Sequence, residues 1–448
     1  MRQSACTLAK NEARLHRFTR GIEHPKVVSI ITRLNIGGPA AHLLLLNRGL
    51  AAREYRTVLA VGTCEAEIGD QDYAFEDESF LRRLPALSRS VAPLRNLRAL
   101  AQLWRILRRE RPCIVHTHTA MAGCLGRTAA VLSGVPIIIH TFHGNCLNEY
   151  FSRFQNRILR QIEQLLARFT DVLCVLSPQQ AAELCGQWKI APAHKFRIIP
   201  LGLDLDDYLA LRPPAGAGPF TVGWFGRMVP VKNIPLLAAT VEAALARCPD
   251  MRFVIAGDGP DRTALKSVLA RHGNRVEWLG WQHEILPALD RCHAVLQTSR
   301  NEGTPMALIQ GMAAARPFVS TAVGGVVDMV SGGIERWSHG ARWYENSVLA
   351  EPDAGTLAGV LVSLAEDRPL VSRMGLAGRA FASQHYRKET LLENMDALYR
   401  ELLAEKNLDS LSRNSRQTGR PALLSISGVS RRMAARVTRP FALRRSHS

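Results

Sequence analysis

The strongest constraint on this chain is a segment type that keeps recurring. Lys26–Thr32 (KVVSIIT), Cys113–Thr119 (CIVHTHT), Asp171–Ser177 (DVLCVLS), Phe220–Arg227 (FTVGWFGR), Arg252–Pro260 (RFVIAGDGP) and Ala294–Ser299 (AVLQTS) are short apolar runs, most closing on a polar or glycine-bearing turn. Neither face of such a strand suits water, so each belongs in a parallel sheet covered on both sides. Longer stretches of helical spacing follow many of them, including Ala40–Ala52, Leu94–Arg111, Asn148–Thr170, Ile234–Arg247 and Met306–Ala315. Strand–helix alternation of this kind predicts a doubly wound α/β fold.

The pattern occurs twice, on either side of Arg212–Pro219 (RPPAGAGP), whose Pro, Gly and Ala content reads as a linker. With 448 residues and 47% hydrophobic content, two domains with full cores are the expectation. The boundaries read from the chain are a flexible extension at 1–24, a first domain at 25–205, a linker at 206–219, a second domain at 220–385, a final helix at 386–408 and a basic, disordered tail at 409–448. Thr63–Phe80 is acidic and irregular, a surface loop.

Charge bears on partners rather than on fold. Lys plus Arg is 57 against 39 acids, a net +18. Nine arginines and no acid lie between Arg413 and Ser448, so half the excess sits in the tail, a field that favours polyanions. Val429, Met433 and Val437 recur every four residues there, which permits a short basic amphipathic helix as well as disorder. Weak docking of the tail to anionic lipid is the expectation. The nine cysteines are scattered singly without metal spacing, as in a reducing compartment. No apolar run is long enough to span a bilayer, and Met1–Gly21 lacks the apolar centre of a secretion signal. The expected location is the cytoplasm, with peripheral contact at the inner face of the cell membrane.

Candidate chemistry concentrates in a few turns. Asn301–Gly325 (NEGTPMALIQGMAAARPFVSTAVGG) follows a strand with an acidic turn, a helix start, a strand and a Gly-Gly turn. In an open α/β sheet a ligand lies beyond the strand's carboxyl end, against free amides at a helix start. A carboxylate there suits sugar hydroxyls better than phosphate, so Glu302 would face a sugar while Gly303, Thr304, Pro305 and Met306 border the rest of the ligand. Arg227 and Lys232 flank the turn after FTVGWFG and could hold a diphosphate; solvated loop charges are the bland alternative. Gly37 and Gly38 let backbone approach a ligand at a helix start, or mark an ordinary turn. His116 and His118 share a strand face, and His140 and His143 close Val135–Gly144 (VPIIIHTFHG). A metal would need a third ligand beside His116 and His118, and the sequence makes none evident; a hydrogen-bonded core histidine is the alternative. Asp204-Leu205-Asp206 spells a DxD but leads into the linker, so it reads as structural. No GxGxxG or P-loop pattern is present, which leaves dehydrogenase and P-loop readings without support.

The Glu302 stretch, together with the Gly-Arg…Lys spacing of Arg227 and Lys232, resembles the pattern of retaining, nucleotide-sugar-dependent glycosyltransferases of the GT-B fold, over roughly Lys26 to Glu405. The resemblance implies two Rossmann-like doubly wound domains facing across a cleft, with the last helix crossing back to the first domain. It implies that Arg227 and Lys232 stabilise the leaving diphosphate, that Glu302 binds the donor sugar, that His118 lies beside that sugar, and that Gly37-Gly38 faces the cleft. His143 would shape the acceptor side. The family's second Glu, a ribose ligand, is Gln310 here, and Met121 stands where relatives often carry Lys. The implied reaction is transfer from a nucleotide diphosphate-sugar, with uridine as base, to a polysaccharide or lipid-linked acceptor, with retention and without cofactor or metal. A nucleotide-sugar epimerase of the same architecture would convert donor without acceptor. A nucleic-acid-binding protein would account for the charge, but no motif supports it.

Overall fold

The computed structural model describes residues 24–406, apart from 35–36, 64–78, 90–91, 145–152, 215, 217 and 339. The expected extension up to residue 23, most of the acidic loop and the basic tail lie outside the described residues.

The first sheet is built from β1 (Lys26–Ile31), β2 (Arg56–Val61), β3 (Leu81–Arg83), β4 (Ile114–His118), β5 (Ile137–Phe142), β6 (Val172–Val175) and β7 (Phe196–Ile198), in the order 3-2-1-4-5-6-7. Every pairing in it is parallel. β4 is buried along its whole length, and β1 at every position after Lys26, as their unbroken apolar sequences require. Around this sheet pack α1 (Gly38–Ala51), α2 (Pro93–Glu110), α3 (Ala120–Ser133), α4 (Arg153–Arg168) and α5 (Pro178–Ala182). α3 packs beside both α2 and α4, and Arg127 on α3 reaches the Glu163 carboxylate on α4 at 2.7 and 2.8 Å.

The second sheet contains β8 (Thr221–Phe225), β9 (Arg252–Ala256), β10 (Val276–Gly280), β11 (Ala294–Gln297), β12 (Phe318–Thr321), β13 (Arg336–Ser338), β14 (Ala341–Trp343) and β15 (Ser347–Ala350), in the order 10-9-8-11-12-15-14-13. Its helices are α6 (Asp206–Ala210), α7 (Ile234–Arg247), α8 (Arg262–Leu269), α9 (Leu286–Asp290), α10 (Met306–Ala313), α11 (Ala354–Glu366), α12 (Arg368–His385) and α13 (Lys388–Glu405). In each sheet the strand order reverses once near the middle, between β1 and β4 and between β8 and β11. Such reversals open a crevice beyond the strands' carboxyl ends. The two-domain, doubly wound expectation is what forms.

Several local features were not indicated by the sequence. The stretch Ser331–Asn346 is an antiparallel hairpin, β13–β14, extending the far edge of the second sheet. With β12 and β15 between it and β11, it does not cover the crevice; Arg336 lies over the Trp343 ring at 4.1 Å. The helical stretch Ala354–Glu405 is divided into α11, α12 and α13. Asp367 caps α12 by accepting from Leu370 N at 2.9 Å, and Pro369 fits only that first turn. The linker stretch contains the one-turn helix α6, and the short strand β3 had no sequence signal.

α13 crosses back to the first sheet. Its Leu391, Leu392, Met395, Leu398 and Tyr399 pack with Val27, Leu46, Leu50 and Ile114. Gly49 and Gly202 make room: a Cβ on Gly49 would stand 2.3 Å from Leu392 Cδ2, and one on Gly202 2.4 Å from Leu391 Cβ. Backbone bonds tie the crossing, Leu203 N to Tyr386 O at 2.8 Å and Lys388 N to Leu203 O at 2.9 Å. Asp204 pairs with Lys388 and Asp206 with Arg387, at 2.7 and 2.6 Å. The DxD is therefore used in the crossing, as its structural reading required.

Candidate active site

At the second sheet's reversal, β8 ends at Phe225 and runs into Gly226-Arg227, and β11 ends in Gln297, each followed by a turn. The turn after β8 tightens into a single 3₁₀ turn, Pro230–Lys232, which brings Lys232 back beside Gly226. The turn after β11 delivers Glu302. One oxygen of that carboxylate, Oε1, accepts from Lys232 Nζ, Gln297 Nε2 and Ser299 Oγ, each at 2.6 Å. Lys232 and Glu302 are thus joined as a half-buried ion pair, where the sequence pattern assigns each a separate ligand. Arg227 is exposed at the mouth of the same turn.

Behind Glu302 the chain enters α10, with Pro305 at the cap and Met306 as first helical residue. The first amides of a helix lack partners within it and draw anionic or polar groups. Thr304 is buried, and its hydroxyl has no partner. The Gly324-Gly325 turn wraps the acidic turn tightly: Gly325 N donates to Glu302 O at 3.1 Å, and a Cβ on Gly324 would stand 1.9 Å from that oxygen. Gly324 also has a φ of +49°, so glycine is needed there for both space and conformation. Gln310, one turn into α10, donates from Nε2 to the Tyr208 hydroxyl at 2.7 Å, and Tyr208 bonds Glu284. Burial, then Glu284, pushes the Tyr208 hydroxyl well above its ordinary range, so it stays protonated and serves as a donor to Glu284. Nothing in the sequence signalled that α6 would reach Gln310.

At the first sheet's reversal the residues are histidines. His116 is core: its Nδ1 meets Tyr399 OH and its Nε2 meets Thr141 Oγ1, both at 2.7 Å. His140 bonds Thr117 Oγ1 at 2.9 Å and is buried. His118 and His143 instead bond each other, Nδ1 to Nε2, at 3.0 Å. His42, in the first turns of α1, joins them, its ring centroid 5.1 Å from His143 and 6.1 Å from His118. One nitrogen from each of His42, His118 and His143 lies within 4.8 Å of the others. The third ligand that the sequence could not supply for His116 and His118 is therefore present around His118, from α1 and β5, while His116 faces Tyr399. Burial is the first cause that lowers every one of these rings' pKa values, His42 to about 4 and His116 to about 3. His118 and His143 are pushed well below 6.5 by burial and then by neighbouring histidines. All are neutral at pH 7. Directly after His118, Thr119 adopts φ +68° and ψ 158° and bonds Thr32 Oγ1 at 2.7 Å. A β-branched residue rarely enters that region, and such strain concentrates at functional turns.

The two reversals face each other closely. A Cβ on Gly303 would stand 2.4 Å from the His143 carbonyl oxygen, and one on Gly38 3.6 Å from Met306 Sδ. Nearby, Gln179 N donates to Asp328 Oδ2 at 2.7 Å, and burial raises the Asp328 pKa. The structure therefore brings together Gly38, His118, His143, Lys232, Glu302, Gly303 and Met306 around one crevice. Thr304, Pro305 and Gln310 line its second-domain wall, Arg227 sits at its rim, and Gly37 caps α1 at its entrance.

Two facing doubly wound domains with this crevice define a GT-B architecture. Family models match both halves: a glycosyl transferase 4-like domain over residues 37–202 and glycosyl transferases group 1 over residues 219–367. Similar folds include sucrose-phosphate synthase from Thermosynechococcus elongatus, at TM-score 0.71 and 20% identity, covering 85% of this chain and all of that one. Anabaena HepE, solved with UDP-glucose, gives TM-score 0.65 and 22% identity, covering 84% of this chain and all of that one. Among curated relatives, the Escherichia coli UDP-Gal:alpha-D-GlcNAc-diphosphoundecaprenol alpha-1,3-galactosyltransferase is 28% identical over 54% of this chain and 66% of its own length. A human phosphatidylinositol N-acetylglucosaminyltransferase polypeptide is 24% identical over 66% of this chain and 61% of its own. The matches span under two thirds of these relatives' lengths. The chain belongs to the GT-B glycosyltransferases.

Proposed function

We propose that the protein transfers a glycosyl group from a uridine diphosphate-sugar to a lipid-linked or polysaccharide acceptor, with retention of configuration and without a metal cofactor. The carrying observation is the Lys232–Glu302 pair, at 2.6 Å, set between the second sheet's reversal and the start of α10. In this reading the pair is the resting state. An entering diphosphate takes Lys232 Nζ, joined by Arg227 at the rim, while Glu302 turns to the hydroxyls of the donor sugar. Both cations then stabilise the charge that grows on the leaving diphosphate, which is electrostatic catalysis by preorganised groups. His118, neutral and with Nε2 unpartnered, bonds a sugar hydroxyl. Gly37, Gly38 and the start of α10, from Gly303 through Thr304 and Pro305 to Met306, border the diphosphate, Gln310 meets the ribose, and His143 faces the acceptor. No side chain acts as nucleophile: the acceptor approaches on the face the diphosphate leaves, through an oxocarbenium-like ion pair.

The uridine and lipid assignments draw on what the Escherichia coli and Anabaena relatives are named for. Peripheral contact with the inner face of the membrane through the basic tail belongs to the same reading. The described residues add support: Leu94, Leu97 and Trp104 on α2, Leu132 on α3 and Leu165 on α4 are exposed on three adjacent helices. No described helix is long and apolar enough to cross a membrane.

The deciding experiment incubates the protein with a panel of UDP-sugars and an undecaprenyl-diphosphate-linked sugar, followed by NMR of the product's anomeric proton. An α-linked product from an α-linked donor supports the reading. Donor conversion without acceptor would show an epimerase instead. Loss of anionic-vesicle binding on deleting 413–448 tests the tail.

A further inference from the structure

We propose that His42, His118 and His143 form a binding site for a transition-metal dication of zinc's type. The donors come from three separate elements, α1, β4 and the end of β5, and one nitrogen of each lies within 4.8 Å of the others. His42 is buried with both ring nitrogens unpartnered, and His118 Nε2 is buried and unpartnered too. Buried ring nitrogens are seldom left without a partner. Within the same protein His116 shows the usual solution, a hydrogen bond at each ring nitrogen, so the want of partners around His42 is local. Three imidazoles are the protein donor set of zinc sites that take an exchangeable ligand in the fourth position. Zinc–nitrogen bonds of about 2.0–2.1 Å would set neighbouring nitrogens roughly 3.4 Å apart, a side-chain adjustment of about 1 Å.

The rings' state agrees with this use. Ligand imidazole must be neutral, and burial keeps all three neutral well below pH 7. The charges that act on His118 and His143 are other histidines; no carboxylate is among them. Metal-ligating histidines held in place by a carboxylate bind more tightly, so this site is built for reversible occupancy. A metal on His118 removes that ring from the donor sugar. Binding of the metal therefore opposes transfer, a consequence that rests on the proposed function, whereas the metal site itself does not.

Equilibrium dialysis of the full chain with Zn²⁺, and visible absorption with Co²⁺, separate the two. The wild type should hold one Zn²⁺ per chain, show the absorption of imidazole-bound Co²⁺, and melt at a higher temperature with Zn²⁺. His42→Gln should weaken binding at least tenfold and abolish the thermal shift. If His42→Gln does not fold, His143→Gln, on the half-buried ring, carries the same test. Equal Zn²⁺ binding by wild type and folded variant, or none by wild type, overturns the site. In the activity arm Zn²⁺ should slow the wild type, while His42→Gln keeps its own metal-free rate. Absence of transfer in every sample would count against the proposed function and leave the dialysis result standing.

Discussion

The two sheets reverse their strand order in the same way, yet the crevice walls they build are electrostatic opposites. The second-domain wall holds an ion pair, Lys232 with Glu302, half-buried beyond the end of β11. The first-domain wall holds three neutral imidazoles, two of them with buried nitrogens that nothing partners. Fold alone assigns neither chemistry. The contrast suits a ligand with one anionic and one polar, uncharged end, gripped by charge on one side and by hydrogen bonding on the other.

The contrast can be broken by pH first. His42 and His116 are held near pKa values of 4 and 3, below the ~6.5 of an unfolded chain. Between those values the unfolded protein binds the protons and the folded one does not, so stability is complete above pH 6.5 and is lost as pH falls toward 4. Each ring contributes on the order of 3–5 kcal/mol to that loss. The urea midpoint should drop steeply from pH 6.5 to 4.5, and His42→Gln should flatten the slope by about one proton. An unchanged slope would mean that His42 is not buried neutral.

Lys232→Ala tests the opposite wall. Losing one preorganised cation costs ~3 kcal/mol of transition-state stabilisation, roughly 100-fold in kcat/KM. Arg227→Ala should behave alike, and steady-state rates that match wild type would contradict the roles given to both cations. Next comes Tyr399→Phe, which leaves His116 Nδ1 without its partner at 2.7 Å. It should cost about 1–3 kcal/mol in denaturant unfolding with nucleotide affinity intact, whereas a fall in affinity would place His116 in the site. The smallest effect expected is that of Gln310→Glu. Restoring a carboxylate beside the ribose gains about 1 kcal/mol, roughly a fivefold lower Kd for UDP by calorimetry. Weaker binding would show that the Gln310–Tyr208–Glu284 chain serves the nucleotide as it stands.

What could be read in advance followed from local pattern. Ile114–His118 and Thr221–Phe225 declared themselves because a doubly covered strand must be apolar throughout, and α7 was legible from residue 234 to 247 because its apolar period ends at a basic last turn. The partition of the histidines was not legible. His116 and His118 are two residues apart on one strand face, and only distant Tyr399 and His42 decide that one is core and the other lines the crevice. Glu302 was recognisable from its turn, but its pairing with a lysine 70 positions earlier depends on β8 and β11 being neighbours. The β13–β14 hairpin escaped because Ser331–Asn346 alternates poorly: Ala341 and Trp343 enter the core, while Trp337 is exposed with Arg342 over its ring.

The crossing of α13 has a practical consequence. Seven of its side chains complete the core beneath β1 and β4, so the amino-terminal half owns a surface supplied from the last described helix. A fragment ending near residue 205 would leave Val27, Leu46 and Ile114 facing water, and should aggregate where the full chain does not. The two strands of chain that pass between the halves, at Leu203 and at Tyr386–Lys388, lie side by side and are bonded to each other. Any opening of the crevice must pivot there, about a single two-stranded tether.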